Sequence, residues 1–297
     1  MSISAYEIVI FDVTRNPGVF VALLDQEHEK PSDFQILGSD FLGNFTFGSI
    51  ENHNVMIAST TAEQSQNVPA AKLASVLENN TYIRHSIVLG TAGGKFGKLS
   101  KDIRLGDIVV SKPKGQHGGV VKWDSGIELE NGSFQRTGFL DRVPKPLLSK
   151  LSYLQSEIEM ENVQLIAENV AYPGAGNDLL FYPEDQHIGG SSCSQCGSNK
   201  IQREEREDHH PRIHLGGVAS GEIMMNDGVS RDSVAKSLKV KCFETDAAKV
   251  MEIRPSLCVM GIRNYADSHQ QSSTYEGWET YAAAAAATYT KLLVMSM

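Results

Sequence analysis

Positive charge is in short supply. Against 36 Asp and Glu stand 27 Lys and Arg, a formal charge of −9. No basic cluster is dense enough to grip a phosphate backbone, which argues against a nucleic-acid partner. Long apolar runs are missing as well: none approaches the roughly 20 residues that a membrane helix needs. The opening MSISAYEIVIFDV lacks the basic start and small-residue cleavage site of a secretory leader. Cysteine is scarce, four in 297 residues, which points to a reducing compartment rather than a disulfide scaffold. A soluble cytoplasmic protein with no membrane contact is the expectation. What is present is ordinary globular material, 41% hydrophobic and long enough to bury a substantial core.

Apolar periodicity organises the chain. YEIVIFDV (6–13) is a short β run, and NFTFGSI with HNVMIAST form a hairpin. VPAAKLASVLENN (68–80) has helical spacing through Val68, Ala71, Leu73, Val76 and Leu77. SIVLGTAGG (86–94) and DIVVS (107–111) are buried strands, and the Gly-rich text from Lys112 to about Arg142 suggests antiparallel strands. PKPLLSKLSYLQSEIEM (144–160) is an amphipathic helix. IHLGGVAS, LKVKCFET and SLCVMGIRN read as three strands, the last two separated by the helix DAAKVMEI. In the C-terminal helix a run of alanines allows close backbone approach to its neighbours. The mixture predicts a three-layer α/β sandwich around a mixed, partly closed sheet. One domain over 1–297 is expected, with a polar surface excursion at about 180–210. Within it REEREDHH (203–210) reads as a solvated face.

Four stretches carry candidate chemistry. The turn Gly90, Thr91, Ala92, Gly93 and Gly94 ends a strand where backbone N–H groups can approach a ligand, or where a tight packing turn is needed. It is neither a dinucleotide fingerprint nor a P-loop. CSQCG (193–197) has the knuckle spacing of a zinc site, with His187, His209, His210 and His214 in reach. A structural zinc needs four ligands, usually in two well-spaced pairs, and Cys242 and Cys258 sit in apolar strands. The pair therefore reads as a loop with two thiols, and no metal or cofactor is expected. Glu244 and Asp246, two apart at a strand end, suit a diol or a shared proton. Alternatively Thr245 or Asp246 caps the following helix. GIRNYADSHQ (261–270) gathers polar side chains where a strand emerges.

GTAGG, DIRLGDIVVS, VASGEIMM, CFETDAA and GIRNYADSH, in this order and spacing, resemble the nucleoside phosphorylase/methylthioadenosine nucleosidase superfamily. The similarity is greatest to its fungal branch, whose domains often head larger receptor-like proteins, and runs from about Tyr6 to Leu293. The resemblance implies a nucleoside pocket at the strand ends and, commonly, a homo-oligomer. Thr91, Ala92 and Gly93 would lie against base, ribose or attacking species, and Met224 and Met225 would flank the base. The family's strand-end Asp, which protonates the leaving purine, is Asn264 here. Its ribose-binding Glu is Asp246, and its ribose-stacking Met is Thr245. For the Glu that activates water, Asn16 is the nearest match, with Asp12 upstream. Arg84 and His85 precede the Gly-rich turn as candidate phosphate ligands.

Loss of the general acid forfeits about 10²–10⁴-fold in rate. The sequence thus favours a repurposed enzyme of fungal small-molecule metabolism, most concretely a cofactor-free cyclase of intramolecular Diels–Alder type. Asn264, Asp246 and Thr91 would be its catalytic groups. Ala92, Gly93, Met224, Met225, Glu244 and Thr245 would bind an apolar substrate. A retained purine-nucleoside phosphorylase or nucleosidase is the alternative, and an inactive ligand-binding domain the third. A chain that ends at its C-terminal helix weighs against a sensor.

Overall fold

The structure, a computed structural model, describes residues 1–16, 23–34, 44–60, 70–78, 80–95, 102–130, 134–161, 170–196 and 200–297. At its centre lies β5 (His85–Gly94), flanked in parallel by β1 (Ile8–Asp12) and β12 (Leu257–Asn264). Beyond β1 come β4 (His53–Ser59), β3 (Phe45–Ile50) and β2 (Gln26–His28). Beyond β12 come β6 (Ile108–Ser111), β10 (Ile213–Ser220) and β11 (Val240–Glu244). β11 then pairs antiparallel with the far end of β5, Cys242 with Gly94 and Phe243 with Gly93. The sheet therefore closes on itself over five strands and stays open over the rest, as the sequence predicts.

Alternation along the central strands divides the core in two. Val9, Phe11, Val88 and Met260 face one side, with Leu73 and Leu77 over them from α1 (Ala70–Val76) and its exit. Val250 and Met251 of the helix Ala247–Met251, α4, join that side. Ile8, Ile10, Leu89 and Val259 face the other. There Leu147, Leu151 and Leu154 of α2 (Lys145–Glu161) meet Ala283, Tyr289 and Leu293 of α5 (Trp278–Met295). Covering both faces explains why the inner strands are continuous apolar runs. Each such buried leucine contributes about 1.5–3 kcal/mol.

The alanines of α5 do what their size permits. Ala282 to Ala287 are all buried, and the helix backbone lies directly on β12. A Cβ on Gly261 would sit 1.9 Å from the Ala282 carbonyl oxygen. Glycine is thus required at 261 by contact with backbone, which cannot give way as a side chain can.

Several sequence expectations need correction. Val68 and residues 69 and 79 of the expected 68–80 helix lie outside the described residues. Of the strands expected between Lys112 and Arg142, β8 (Gly126–Glu128) and β9 (Phe134–Arg136) do form an antiparallel pair. β7 (Val120–Lys122) instead runs parallel to β10. The helix α3 (Gly228–Leu238) was not anticipated, although Asp227 caps it through Ser230 N at 2.7 Å. Nor is REEREDHH simply solvated. Arg206 grips the buried Asp107 carboxylate with two bonds of 2.6 and 2.7 Å, and His214 Nε2 reaches it at 2.8 Å. Burial alone would push that carboxyl up, but Arg206 and His214 outweigh it and hold it below the usual range. Arg203 pairs with Asp178 at 2.9 Å. The hydrophobic period cannot reveal such inward turns, because they depend on partners 25 to 107 residues away.

Gly261→Ala should destabilise the chain by roughly 3 kcal/mol or prevent folding, read as the urea midpoint. Gly176→Ala, whose Cβ meets nothing within 4 Å, should leave that midpoint unchanged.

Candidate functional site

A cavity of about 180 Å³ opens where the ends of β11 and β12 meet the second half of β5. Thr91, Ala92 and Gly93 line it from β5 and Asn264 from β12; Glu244, Thr245 and Asp246 come from the end of β11, and Met224 and Met225 from the loop before α3. All nine residues singled out in the sequence converge, although they span positions 91 to 264. The chamber shares Arg15, Met224, Arg263, Asn264, Gln270 and Glu279 with an outer cleft of about 860 Å³.

Asn264 owes its position to a slip in register. Ile262 pairs with Ala92 and Asn264 with Gly93, so Arg263 is an extra residue that bulges from β12. Asn264 Oδ1 then accepts the Ala266 N–H at 2.9 Å, closing a turn through its own side chain. A backbone N–H can only donate, which assigns the amide oxygen to that bond and leaves the NH₂ as the remaining donor. The turn lies so close to β5 that a Cβ on Gly93 would meet Asn264 Oδ1 and the Ala266 Cβ, each at 2.6 Å. Glycine at 93 is needed for that approach.

The two acids at the end of β11 divide their tasks in an unforeseen way. Asp246 occupies the N-cap position of α4 but makes no capping bond. Glu244 caps instead, its Oε2 accepting the N–H groups of Asp246 at 2.7 Å and Ala247 at 2.9 Å. Its Oε1 is buried without a partner among the described residues. Burial raises the Glu244 carboxyl to about 7, against the pull of the Ser220 hydroxyl and the two backbone donors. Asp246 is left to face Arg15 at 3.5 Å and Lys249 at 3.7 Å.

Two arginines at the cavity escaped the sequence reading. Arg263, bulged from β12, pairs with Glu279 at 3.0 Å. Arg15 adopts φ 59°, a left-handed conformation that costs a non-glycine residue about 1–3 kcal/mol and gathers at functional sites. Arg263 stands in the quoted GIRNYADSHQ stretch and Arg15 beside Asn16, but neither position matched a family role. The floor also differs from the soft apolar surface expected. Met225 is buried against Phe243 and Ala266, whereas Met224 is half exposed at the rim.

Other candidates fall away from the chamber. Asn16 lines only the outer cleft. Asp12 is buried and committed to Thr14 N, Thr14 Oγ1 and Ser59 Oγ. Arg84 pairs with Glu7 and, with His85, stands at the opposite end of β5. Metal-ligating side chains gather elsewhere: His187, Cys196 and His269 meet against a separate cavity of about 280 Å³.

This architecture recurs in solved structures. Futalosine hydrolase of Helicobacter pylori superposes with a TM-score of 0.61 at 14% identity, covering 99% of each chain. A putative 5′-methylthioadenosine/S-adenosylhomocysteine nucleosidase from Borrelia burgdorferi bound to adenine gives 0.61 at 13% identity, over 98% of this chain and 100% of that one. The chain has the nucleoside phosphorylase/nucleosidase fold. A third nucleosidase-fold structure, an Asp-to-Asn variant of the Helicobacter pylori nucleosidase with 5′-methylthioadenosine in its active site, gives 0.61 at 14% identity, over 98% and 99% of the chains. In sequence, a nucleotide-binding leucine-rich repeat-like protein of Hyaloscypha variabilis is 32% identical over 284 residues, 92% of this nucleosidase-fold chain. The chain spans 27% of that protein's length. No family model matches it. Among the described residues no helix is long and apolar enough to cross a membrane.

A carboxyl raised from 4.5 to about 7 favours folding while protonated and opposes it once ionised. Its contribution is complete below pH 4.5 and is lost as pH rises through 7, about 3 kcal/mol in all. Glu244→Gln keeps the capping oxygen and removes the titration. The fall in unfolding free energy from pH 4.5 to pH 7.5 should therefore be larger in wild type than in the variant by about that amount.

Proposed function

We propose that the strand-end cavity binds a nucleoside-like small molecule and holds its N-glycosidic bond intact. The observation that carries this reading is the Asn264 amide. With Oδ1 spent on Ala266 N–H, the group left to meet a ligand donates a hydrogen bond but cannot transfer a proton. A purine N7 is an acceptor that such a donor suits. Glu244 and Asp246 line the same chamber and offer carboxylate acceptors to vicinal hydroxyls. Similar solved structures include nucleosidases holding adenine or 5′-methylthioadenosine, which supports the ligand class. No water-activating carboxylate faces the chamber from the Asp12–Asn16 segment.

The cyclase expectation loses its footing on the same lining. Three carboxylates and two guanidiniums border the chamber, a poor solvent for an apolar substrate because each charge must remain hydrated or paired. The expectation against a sensor also weakens, since a sequence relative is a much longer protein in which this chain corresponds to 27%. Ligand retention without turnover is what a sensing module requires.

One observation favours a second reading, slow N-glycosidic cleavage with Glu244 as the acid: its carboxyl is raised to about 7 and has a free oxygen. Cleavage by that route would fall as pH rises through 7 and vanish in Glu244→Gln.

The test pairs calorimetry with chromatography of the base. Wild type should bind adenosine or 5′-methylthioadenosine without releasing adenine, and Asn264→Ala should bind about 2- to 12-fold more weakly, the value of one hydrogen bond. Asn264→Asp keeps the turn to Ala266, restores a carboxyl, and should release adenine. Wild-type turnover of about 1 s⁻¹ or faster, or no binding of either nucleoside, contradicts the proposal.

A further inference from the structure

We propose that Cys193, Cys196, His187 and His269 bind a zinc ion in a tetrahedral site that fastens the 180–210 excursion to the loop after β12. The knuckle Cys193–Gln195 is a single helical turn that places both sulfurs on one side, and both cysteines are buried. His187 Nδ1 lies 3.2 Å from Cys196 Sγ and 3.8 Å from Cys193 Sγ. The fourth ligand comes from a part of the chain that the knuckle spacing does not indicate. His269 belongs to the GIRNYADSHQ stretch, and its ligand atom lies within 4.8 Å of those of His187 and Cys196. In a filled site with Zn–S about 2.3 Å and Zn–N about 2.0–2.1 Å, ligand atoms stand about 3.3–3.8 Å apart. His187, Cys196 and His269 need a contraction of about 1.5 Å at most to close on the ion, and Cys193, held beside His187 Nδ1, moves in to complete the set.

The hydrogen bonds around the cluster already select the ligating form of each imidazole. His187 Nε2 contacts the Gly190 carbonyl at 3.1 Å. A carbonyl only accepts, so the proton is on Nε2 and the Nδ1 lone pair faces the two sulfurs. His269 Nδ1 contacts Asp267 Oδ1 at 3.3 Å, which puts its proton there and leaves Nε2 bare. That Nε2 belongs to a fully buried ring and has no partner among the described residues, an unfavourable state unless something ligates it. Carboxylate, imidazole and metal in series is the usual outer support of a zinc ligand. The ring is further fixed by stacking on Phe181, centroids 3.9 Å apart and 8° from parallel. Ile188 N donates to Cys196 Sγ at 3.5 Å, a bond that stabilises a thiolate. Two sulfurs and two nitrogens suit zinc above the harder divalent cations. On binding, two Zn–S bonds replace two S–H bonds, and both protons leave to solvent.

The site has a structural consequence. His187 N reaches Ser268 Oγ at 2.9 Å, Cys193 N reaches Thr274 Oγ1 at 3.0 Å, and Ser273 N reaches the Ser191 carbonyl at 2.7 Å. Ser191, Ser272 and Ser273 line the outer cleft. Zinc would therefore set one wall of the cleft that leads to Asn264, without touching the chamber.

The experiment uses the full chain, purified under reducing conditions with any affinity tag removed. Mass-spectrometric metal analysis should find one zinc per chain. Replacing it by Co²⁺ should give thiolate-to-cobalt charge transfer in the near ultraviolet and strong tetrahedral bands in the visible, a readout on wild type that needs no variant. Cys196→Ser should abolish both, and Asp267→Asn should weaken zinc binding about 10- to 100-fold. A folded wild-type chain with no zinc and no cobalt–thiolate bands would overturn the proposal. So would zinc content unchanged in Cys196→Ser, or a Cys193–Cys196 disulfide in the freshly purified chain.

Discussion

The pairing of Gly93 and Gly94 with Phe243 and Cys242 is the contact on which the rest of the molecule depends. β5 spends its first half between β1 and β12 and its last residues against β11, so one strand belongs to two surfaces. Closure over five strands removes an exposed edge and draws the ends of β11 and β12 beside Thr91 and Ala92. Without it Glu244 and Asp246 would stand on the outer edge of an open sheet, three strands away from Asn264. The same small residues that permit closure also admit the Asn264 turn, since a side chain on Gly93 would collide with it. Fold and site thus rest on one absence of side chain.

Chemistry at the chamber follows from how each polar group spends its hydrogen-bonding capacity. Asn264 uses its acceptor to close a turn and keeps its donor. Glu244 uses one oxygen to cap α4 and keeps the other, at a burial cost that lifts its carboxyl to about 7. Asp246, relieved of capping, pairs with cations at the rim. The outcome is a chamber with a donor, an acceptor and fixed charge, which suits recognition of a base and a diol. A proton donor at the base position, which bond cleavage needs, is what the amide cannot supply.

Much of this was legible in the sequence. The buried strands announce themselves as apolar runs, the alanine stretch 282–287 announces close helix packing, and the ordered motifs identify the fold. The nine candidate residues do share one cavity. What stayed hidden was set by partners far away in the chain. The spacing of Glu244 and Asp246 shows a pair at a strand end but not which of them caps. Arg263 enters the site through a bulge, which leaves no periodic mark. Arg206 in a charged run finds Asp107, 99 residues distant. His269, read as part of a polar loop, comes close to the Cys196 sulfur of a knuckle more than 70 positions earlier. Local pattern describes what a segment can be; pairing across the fold decides what its side chains do.

The central claim is that a nucleoside sits intact at the strand ends because Asn264 can donate a hydrogen bond but not a proton. A crystal structure of the wild-type chain grown with 5′-methylthioadenosine tests it most directly. The account predicts continuous density from ribose to base, with the ribose hydroxyls on Glu244 and Asp246 and the base within hydrogen-bond reach of Asn264 Nδ2. Separate adenine and sugar in the chamber, or an empty chamber at saturating nucleoside, would contradict it.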